Sequence, residues 1–208
     1  MLLDFNSLVS KYDMNITGII HIGAHHGDEY DVYKEYDSIK HMLFFEPDKD
    51  SFKRLNSKTQ DDDRAILVNS ALGPFSCKME MYKETANKGQ SNSLLEPHLH
   101  KTQYPKIVFD STYEVKVHPL DKYEPSKVFN MINIDVQGFE LEVFRGAKNT
   151  LNNIQYVMTE VNRAELYKNC CMVEELDEFL CKYGFERKET TWEGDTWGDA
   201  LYIKNETL

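Results

Sequence analysis

The stretch from Gly18 to Asp48, GIIHIGAHHGDEYDVYKEYDSIKHMLFFEPD, decides the fold of this chain. Its first five residues, 18–22, are mostly apolar and β-branched, which predicts a buried strand. The small residues of Gly23–Gly27 predict a tight turn where the backbone can approach a ligand. Tyrosines at helical spacing then predict a helix from Asp28 to about Tyr36, and His41–Phe45 predicts a second buried strand. The pattern is that of a strand–loop–helix–strand unit.

A carboxylate, Glu46, stands at the tip of the second predicted strand and is followed by Pro47. It lies 19 positions after Gly27 (46 − 27). In nucleotide-binding α/β domains a glycine turn leaves room for the nucleoside, and a carboxylate about twenty residues later holds the ribose hydroxyls. The turn reads G-A-H-H-G and not G-x-G-x-x-G. This favours a nucleoside without a pyrophosphate, such as S-adenosylmethionine, although a glycine turn alone is also typical of a purely structural connection.

The composition predicts one folded domain over residues 1–208. Hydrophobic residues make up 41% and charged residues 28% of the chain, ordinary values for a globular domain with a substantial core. The net charge of −11 disfavours binding to a nucleic-acid backbone, and no run of Lys and Arg offsets it. We therefore expect a neutral or cationic small-molecule partner and no nucleic acid.

The sequence predicts neither a membrane span nor a secretory signal. No apolar run reaches the length of a transmembrane helix. Residues 1–17 contain an early Asp4 and lack a basic-then-apolar order, so we expect an amphipathic N-terminal helical segment. The four cysteines have neither C-x-x-C spacing nor the density of a disulfide scaffold. Idle thiols in a reducing compartment are the expectation, and hence a cytoplasmic location.

Strand and helix patterns alternate through the rest of the chain. Strands are predicted at 65–69, 76–82, 113–117, 128–134, 154–159, 185–191 and 200–203, and helices at 49–58, 139–151 and 173–183. This alternation predicts an α/β fold with a mainly parallel sheet, flanking helices and an antiparallel edge. Strand ends at Gly23, Glu46, Asn69, Asp135 and Glu160 would then meet at one crevice, because the carboxyl ends of parallel strands share one edge.

The segment 83–105 is long and polar, and it contains Gly89, Pro97 and Pro105. Loops of this length in compact domains are usually functional or mobile, so we expect a substrate lid. Its candidates for binding a hydroxylated substrate are Gln90, Ser91, Ser93 and His98. A solvated surface excursion is the alternative.

Several motifs resemble the FkbM family of S-adenosylmethionine-dependent methyltransferases. They are HIGAHHGDE, FFEPD, VNSALG, GQSNSLLEP, HPLDKY, IDVQGFELEVFRGA and TEVN, and they follow the family's order from Gly18 to Asn162. The IDVQGFELEVFRGA block is the most specific of them. The resemblance implies a Rossmann-like class I methyltransferase fold with a mainly parallel seven-stranded sheet. It also implies methyl transfer, most often to an oxygen.

Carried over by position, the resemblance implies a set of cofactor-binding residues. The residues around the amino-acid part of S-adenosylmethionine would be Gly23, Ala24, His25 and Gly27. Glu46 would hold the ribose, and Asp135 would lie by the reacting centre. The residues near the adenine would be Asn69, Ser70 and Ala71. The chain departs from the family pattern at three positions. His21 replaces a frequent Asp in the cofactor site, His25 a frequent Asn, and Gln137 a frequent Glu. A buried core histidine is the alternative for His21.

Methylation of a hydroxyl needs a base, and Asp135 and Glu160 are the candidates, with His98 or His100 behind them. Alternatively, Asp135, Glu160 and Asn162 could hold Mg²⁺, since hard cations prefer oxygen ligands. Asp135 could also simply cap the helix that follows it. The acceptor is expected to be a small molecule or carbohydrate. A non-catalytic module that keeps the nucleoside pocket and recognises a glycan or protein is the alternative function.

Overall fold

The computed structural model describes residues 1–205. The helices are α1 (Phe5–Lys11), α2 (Tyr30–Tyr33), α3 (Lys49–Thr59), α4 (His100–Gln103), α5 (Glu140–Arg145) and α6 (Val173–Cys181), with 3₁₀ turns at Leu120–Tyr123 and Thr150–Asn152. The strands are β1 (Gly18–Ile22), β2 (His41–Phe45), β3 (Ala65–Val68), β4 (Ala71–Leu72), β5 (Cys77–Glu84), β6 (Phe109–His118), β7 (Met131–Ile134), β8 (Tyr156–Asn162), β9 (Phe185–Glu193) and β10 (Trp197–Lys204).

Seven strands form the main sheet in the order β3-β2-β1-β7-β8-β10-β9. The first five run parallel, and β10 pairs antiparallel with both β8 and β9. This confirms the predicted mainly parallel sheet with an antiparallel edge. The chain runs outward from β1 to β3 on one side and from β7 to β8 on the other. The switch between β1 and β7 is where open α/β sheets bind ligands.

Alternate residues of the strands point to opposite sides of the main sheet, and helices pack against the side chains on both faces. On one face, residues such as Ile20 and Ile132 pack with α5 and α6. On the other, Ile19 and Met42 pack with α1, α2 and α3. All five residues of β1 are buried, as a central parallel strand requires.

A second, three-stranded sheet has the order β4-β6-β5 and holds the two strands that were predicted at 76–82 and 113–117. β5 and β6 form a long antiparallel pair. β4 continues from the end of β3, so this sheet borders the crevice edge of the main sheet.

Three predicted elements differ from the structure. The predicted helix at 28–36 is only the single turn α2, Tyr30–Tyr33. The helix at 139–151 is α5, Glu140–Arg145, which ends at Gly146; a Cβ at Gly146 would lie 2.1 Å from the Gly73 carbonyl oxygen, so close backbone packing ends the helix there. The strand at 65–69 was predicted to be buried, but β3 is an edge strand and its Ile66 is 54% exposed.

The N-terminal helical segment is α1, as predicted. The Asp4 side chain accepts a hydrogen bond from the Ser7 N–H and caps the helix, and Phe5 and Leu8 are buried. The four cysteines are free thiols. Across residues 1–205, none of the helices has both the length and the apolar character needed to cross a membrane.

Candidate active site

The turn after β1 packs directly against the end of β7. Gly23 has φ +80°, and a Cβ at this position would stand 1.9 Å from the Asp135 carbonyl oxygen, so only glycine permits the approach. The N–H groups of Gly23 and Ala24 both donate to the Phe45 carbonyl oxygen at 3.0 Å. The turn therefore joins the ends of β1, β2 and β7 and holds Asp135 beside the glycine loop.

The Glu46 carboxylate is buried and held by the backbone of two loops. Its oxygens accept the His25 N–H and the Asp48 N–H, each at 2.7 Å. Burial raises the pKa of Glu46 to about 7, although these two donors favour the ionised form. Asn69 supports the same loop, because its side-chain amide donates to the carbonyl oxygens of Glu46 and Pro47. Glu46 is thus fixed in place and its charge is uncompensated.

Two cavities open at this crevice. The first cavity, which opens to solvent, spans about 610 Å³ including that open space and is lined partly by Phe45, Glu46, Ser70, Ala71, Tyr113 and Phe139. The second cavity, also open to solvent, spans about 1220 Å³ on the same basis and is lined partly by His21, Glu29, Ser91, His100, Glu160 and Trp197. Both include Gly23, His25, Gln90, Asp135 and Gln137. The cavities therefore meet at the glycine turn and the end of β7.

Three buried atoms of residues lining the second cavity have no hydrogen-bond partner within residues 1–205. They are His21 Nδ1, His100 Nδ1 and Glu160 Oε1. The side chains are nearly inaccessible, at 3%, 4% and 2% exposure. Burial lowers the pKa of both histidines, so their rings are neutral near pH 7. Since buried polar groups are normally hydrogen-bonded, these atoms point to a bound ligand or water in this cavity.

Asp135 and Glu160 face each other across the side chain of Gln137. Its amide nitrogen donates to Asp135 Oδ1 at 2.7 Å and to Glu160 Oε2 at 2.9 Å. The Tyr167 hydroxyl lies 2.7 Å from the amide oxygen of Gln137. The two candidate bases therefore form one hydrogen-bonded unit.

Burial also raises the pKa of Glu160 well above its usual range, and the nearby carboxylates of Asp135, Glu140 and Asp199 add to the shift. Asp199 lies directly opposite Glu160 in the β8–β10 pair, and burial raises its pKa to about 6. These causes favour the protonated form of Glu160 in the cofactor-free protein. A bound cation would favour its ionised form.

Glu140, not Asp135, holds the loop before α5. Its Oε1 accepts the N–H groups of Val136 and Gly138 at 2.9 and 3.2 Å, whereas α5 has Phe139 at its N-cap and no side-chain cap. The cap interpretation of Asp135 is therefore wrong. One oxygen each from Asp135, Glu140 and Glu160 lie within 4.8 Å of one another, a spacing that could suit a cation. Asn162, the third ligand in the predicted Mg²⁺ set, is buried with both polar side-chain atoms unpaired within the described chain.

The segment 83–105 contains more structure than a free loop. It includes the end of β5, a bridge between Tyr82 and Ser93, and α4. The buried Glu84 carboxylate accepts N–H groups from Asn87, Gly89 and Ser91 at 2.6, 2.7 and 3.4 Å. The His25 ring nitrogen Nε2 also lies 2.9 Å from the Lys88 carbonyl oxygen. The segment is folded around Glu84 and tied to the glycine turn.

Most, but not all, of the predicted site residues line the two cavities. Those that do are His21, Gly23, Ala24, His25, Glu46, Ser70, Ala71, Gln90, Ser91, Asp135 and Glu160. Gly27 packs against Leu55, Asn69 holds the Glu46 loop, and Ser93 Oγ donates to the Gln137 carbonyl oxygen. His98 is exposed and lines neither cavity, whereas His100 lines the second. The substrate-binding role of Ser93 and His98 stays a prediction: Ser93 holds the Gln137 carbonyl oxygen, and His98 is exposed outside both cavities.

Sequence analysis missed four residues that shape the site: Glu84, Gln137, Glu140 and Asp199. Asp199 gives a sequence signal, because it is the one charged residue within the apolar run W-G-D-A-L-Y-I of β10. Gln137 was interpreted only as the loss of a charge. Its role depends on a left-handed backbone, at φ +56°, that turns its side chain back toward Asp135, and single-residue patterns do not reveal such a turn.

Comparison with known proteins agrees with this arrangement. The family described as the methyltransferase FkbM domain matches residues 21–187, well over half of the chain. This chain belongs to the FkbM methyltransferase family. A curated relative, 2-O-methyltransferase NoeI of Sinorhizobium fredii, is 25% identical over 158 residues. That match covers 72% of this chain and 65% of NoeI, so the chain spans about two-thirds of the relative's length.

Solved structures support the FkbM fold assignment. Methyltransferase FkbM from Methylobacillus flagellatus has a TM-score of 0.62 at 13% identity, over 97% of this chain and 45% of that one. TrmK of M. capricolum, solved with S-adenosyl-homocysteine, has a TM-score of 0.52 at 12% identity, over 99% of this chain and 70% of that one. At these identities the likeness concerns the fold alone. The predicted absence of nucleic-acid binding in this FkbM-family protein stays a prediction.

Proposed function

We propose that this protein is an S-adenosylmethionine-dependent methyltransferase that methylates a hydroxyl group on a small molecule or sugar. The observation that carries the proposal is the meeting of the two cavities at Gly23 and Asp135. One cavity is lined by a buried carboxylate, Glu46, at the β2 tip, and the other by residues with unpaired polar atoms beside two acidic side chains. Membership of the FkbM family supports methyl transfer, and the name of NoeI, a 2-O-methyltransferase, supports an oxygen acceptor.

In this proposal the nucleoside occupies the first cavity. Glu46 accepts the ribose hydroxyls with the lone pairs that its two backbone donors leave free. Ser70 and Ala71 lie beside the adenine, and the flat side chain of Phe139 closes the cavity from below the base. The backbone of the turn at 23–25, with His21 behind it, holds the amino-acid part.

The acceptor occupies the second cavity, where Gln90 and Ser91 offer polar contacts and His100 offers an unpaired ring nitrogen. When bound, S-adenosylmethionine supplies an electrophilic methyl group on a positively charged sulfur. The residues around Asp135 must then hold the acceptor oxygen in line with that methyl group. A carboxylate of the Asp135–Glu160 pair takes the hydroxyl proton as the oxygen–carbon bond forms and the carbon–sulfur bond breaks. The products are the methyl ether and neutral-sulfur S-adenosylhomocysteine.

The acidic side chains near the junction of the two cavities support this placement of the cofactor and the acceptor. The positive charge of a bound cofactor would lie near Asp135 and Glu160 and would favour the ionised form of Glu160, so cofactor binding would prepare the base. A positioned base typically contributes about 10²–10⁴-fold to the rate. Mg²⁺ held by Asp135 and Glu160 is the competing proposal, in which the ion would acidify the hydroxyl.

The test is to incubate the protein with S-adenosylmethionine and a panel of hydroxylated acceptors, free and glycosylated, and to measure S-adenosylhomocysteine release. Calorimetric titration with S-adenosylhomocysteine is run in parallel. Binding with acceptor-dependent release supports the proposal. Binding without release for any acceptor favours the non-catalytic module, and the absence of binding contradicts both functions.

A further inference from the structure

The backbone at the end of β7 turns the Gln137 side chain toward the carboxyl pair. Gln137 has φ +56° and Gly138 has φ +97°, so two consecutive residues are left-handed. The Ser93 hydroxyl donates to the Gln137 carbonyl oxygen at 2.8 Å and holds this turn. A left-handed non-glycine residue is conformationally costly, so the surrounding structure must maintain it.

The hydrogen bonds of the Gln137 side chain define its orientation. The Tyr167 hydroxyl lies 2.7 Å from the amide oxygen and 3.0 Å from the Ser91 carbonyl oxygen, so its one proton has two acceptors, while the N–H groups of the amide donate to Asp135 and Glu160. The reverse orientation would bring the amide oxygen against two carboxyl oxygens and would need a proton on one of them. Tyr167 is fully buried, and burial raises its pKa well above the usual range, so it remains a neutral donor.

The Gln137 amide nitrogen lies between Asp135 Oδ1 and Glu160 Oε2, where a cation bridging these two oxygens would bind. Asp135, Glu140 and Glu160 bring one oxygen each to within 4.8 Å of one another, and such an oxygen set suits a hard divalent cation. Asp135 Oδ1 and Glu160 Oε2 are both committed to the Gln137 amide, and Glu140 Oε1 is committed to two backbone N–H groups, whereas Glu140 Oε2 and Glu160 Oε1 have no partner within residues 1–205. A cation coordinated by the first two oxygens would have to displace that amide.

We propose that Gln137 is a positioning residue that takes the place of a divalent cation between Asp135 and Glu160 and so keeps this carboxyl pair metal-free. The bridge fixes the distance between the two carboxyls and contributes two donors but no full charge. The acidic pair then remains available to the positively charged cofactor, a consequence that rests on the proposed function. The proposed exclusion of metal rests on the two hydrogen bonds of the Gln137 amide and not on the proposed function.

The test measures the binding of Mn²⁺ to the cofactor-free protein by electron paramagnetic resonance. Gln137→Glu replaces the amide with a third carboxylate in the cluster, and we expect it to bind Mn²⁺ about 10- to 100-fold more tightly than the wild type. Gln137→Ala frees the two carboxylates without adding a charge and should bind at an intermediate affinity. Gln155→Glu, which adds the same charge at the opposite end of β8, is the matched control and should bind like the wild type.

Wild-type affinity equal to that of Gln137→Glu would overturn the proposal, as would a Gln137→Ala affinity equal to the wild type's. If Gln137→Glu does not fold, Gln137→Ala alone decides between these outcomes. Titration of each folded variant with S-adenosylhomocysteine reports separately on the proposed function. If S-adenosylhomocysteine does not bind, the Mn²⁺ affinities still test the role of Gln137. If the Mn²⁺ affinities overturn that role, the S-adenosylhomocysteine titration still tests the proposed function.

Discussion

The carboxyl groups that line the two cavities differ in their hydrogen-bond partners. In the first cavity, both oxygens of Glu46 accept backbone N–H groups, and Asp48 Oδ1 accepts two more from α3. In the second, Glu160 accepts only the amide of Gln137, and its other oxygen is unpaired within residues 1–205. The carboxylates of the first cavity are therefore held by the backbone, whereas the second cavity is lined by residues with buried polar atoms that have no protein partner within residues 1–205.

Some buried carboxyl groups support loops and do not line a cavity. Glu84 is as buried as Glu160, yet it accepts three backbone N–H groups and folds a loop around itself. Glu140 accepts two, although its Oε2 is unpaired within residues 1–205, as Glu160 Oε1 is. Burial alone therefore does not identify a functional carboxyl group, and what separates Glu46 and Glu160 from these two is that they line the cavities.

The largest effect is expected at the junction of the two cavities. Asp135→Asn removes a charge while preserving shape, and we expect turnover to fall by about 10²–10⁴-fold. The melting temperature should barely move, since Asp135 does not cap α5. The comparison uses S-adenosylhomocysteine release, with the exposed Asp61→Asn as control. Wild-type turnover in the Asp135 variant would remove this carboxylate from the chemistry, and activity lost to a chelator and restored by Mg²⁺ would favour the metal alternative.

In the first cavity, Glu46→Ala should weaken S-adenosylhomocysteine binding by about 1.5–3 kcal/mol, the value of lost hydrogen bonds to a charged group. Calorimetry measures the change. Because Glu46 also holds the His25 and Asp48 N–H groups, the melting temperature must be recorded alongside. Glu35→Ala, at an exposed position, is the control. Unchanged affinity in a folded variant would refute the ribose assignment.

The next prediction tests whether the buried Glu84 carboxylate stabilises the loop that folds around it. Glu84→Ala leaves buried N–H groups of the 87–91 loop without an acceptor, and we expect a loss of about 1–3 kcal/mol in the free energy of unfolding. Denaturant unfolding measures it, and Glu80→Ala, on the exposed side of the same strand, is the control. Limited proteolysis should then cut within 85–92 in the variant.

If segment 83–105 is also a substrate lid, cofactor and acceptor together should protect it from proteolysis in the wild type. Equal cleavage with and without ligands would argue for a fixed loop.

A smaller effect is expected from pH. The pKa of Glu46 is raised to about 7, and ribose hydroxyls donate more strongly to its ionised form, so we expect binding to release a proton. Affinity for S-adenosylhomocysteine should rise about tenfold from about pH 6 to about pH 8 and then level off. Calorimetry in buffers of different ionisation enthalpy measures the proton release. The Glu46→Gln variant should lose this part of the pH dependence, and a flat wild-type profile would contradict the assignment.

Sequence patterns predicted the architecture well because hydrophobic periodicity reports which strands are buried. The seven main-sheet strands and the crevice residues Gly23, Glu46 and Asp135 follow from that periodicity together with the carboxyl-end rule for parallel sheets. The errors lie where tertiary contacts decide. α5 ends at Gly146 because of a backbone approach from Gly73, which is 73 positions away (146 − 73).

The acceptor side was harder to predict for a physical reason. Its geometry depends on side chains that reach across loops: Glu84 organises Gly89 and Ser91, and Gln137 joins Asp135 to Glu160. Neither arrangement has a fixed spacing in the sequence. His98 and His100 look equivalent by position, yet only His100 is buried against the second cavity, because α4 begins there.

A crystal structure with S-adenosylhomocysteine tests the central claim most directly. The account predicts that the ribose hydroxyls lie within hydrogen-bond distance of Glu46, with the adenine in the first cavity. It also predicts that the sulfur lies beside Asp135, at the junction with the second cavity. A ligand whose ribose lies away from Glu46, or whose sulfur points away from the Asp135–Gln137–Glu160 unit, would contradict it.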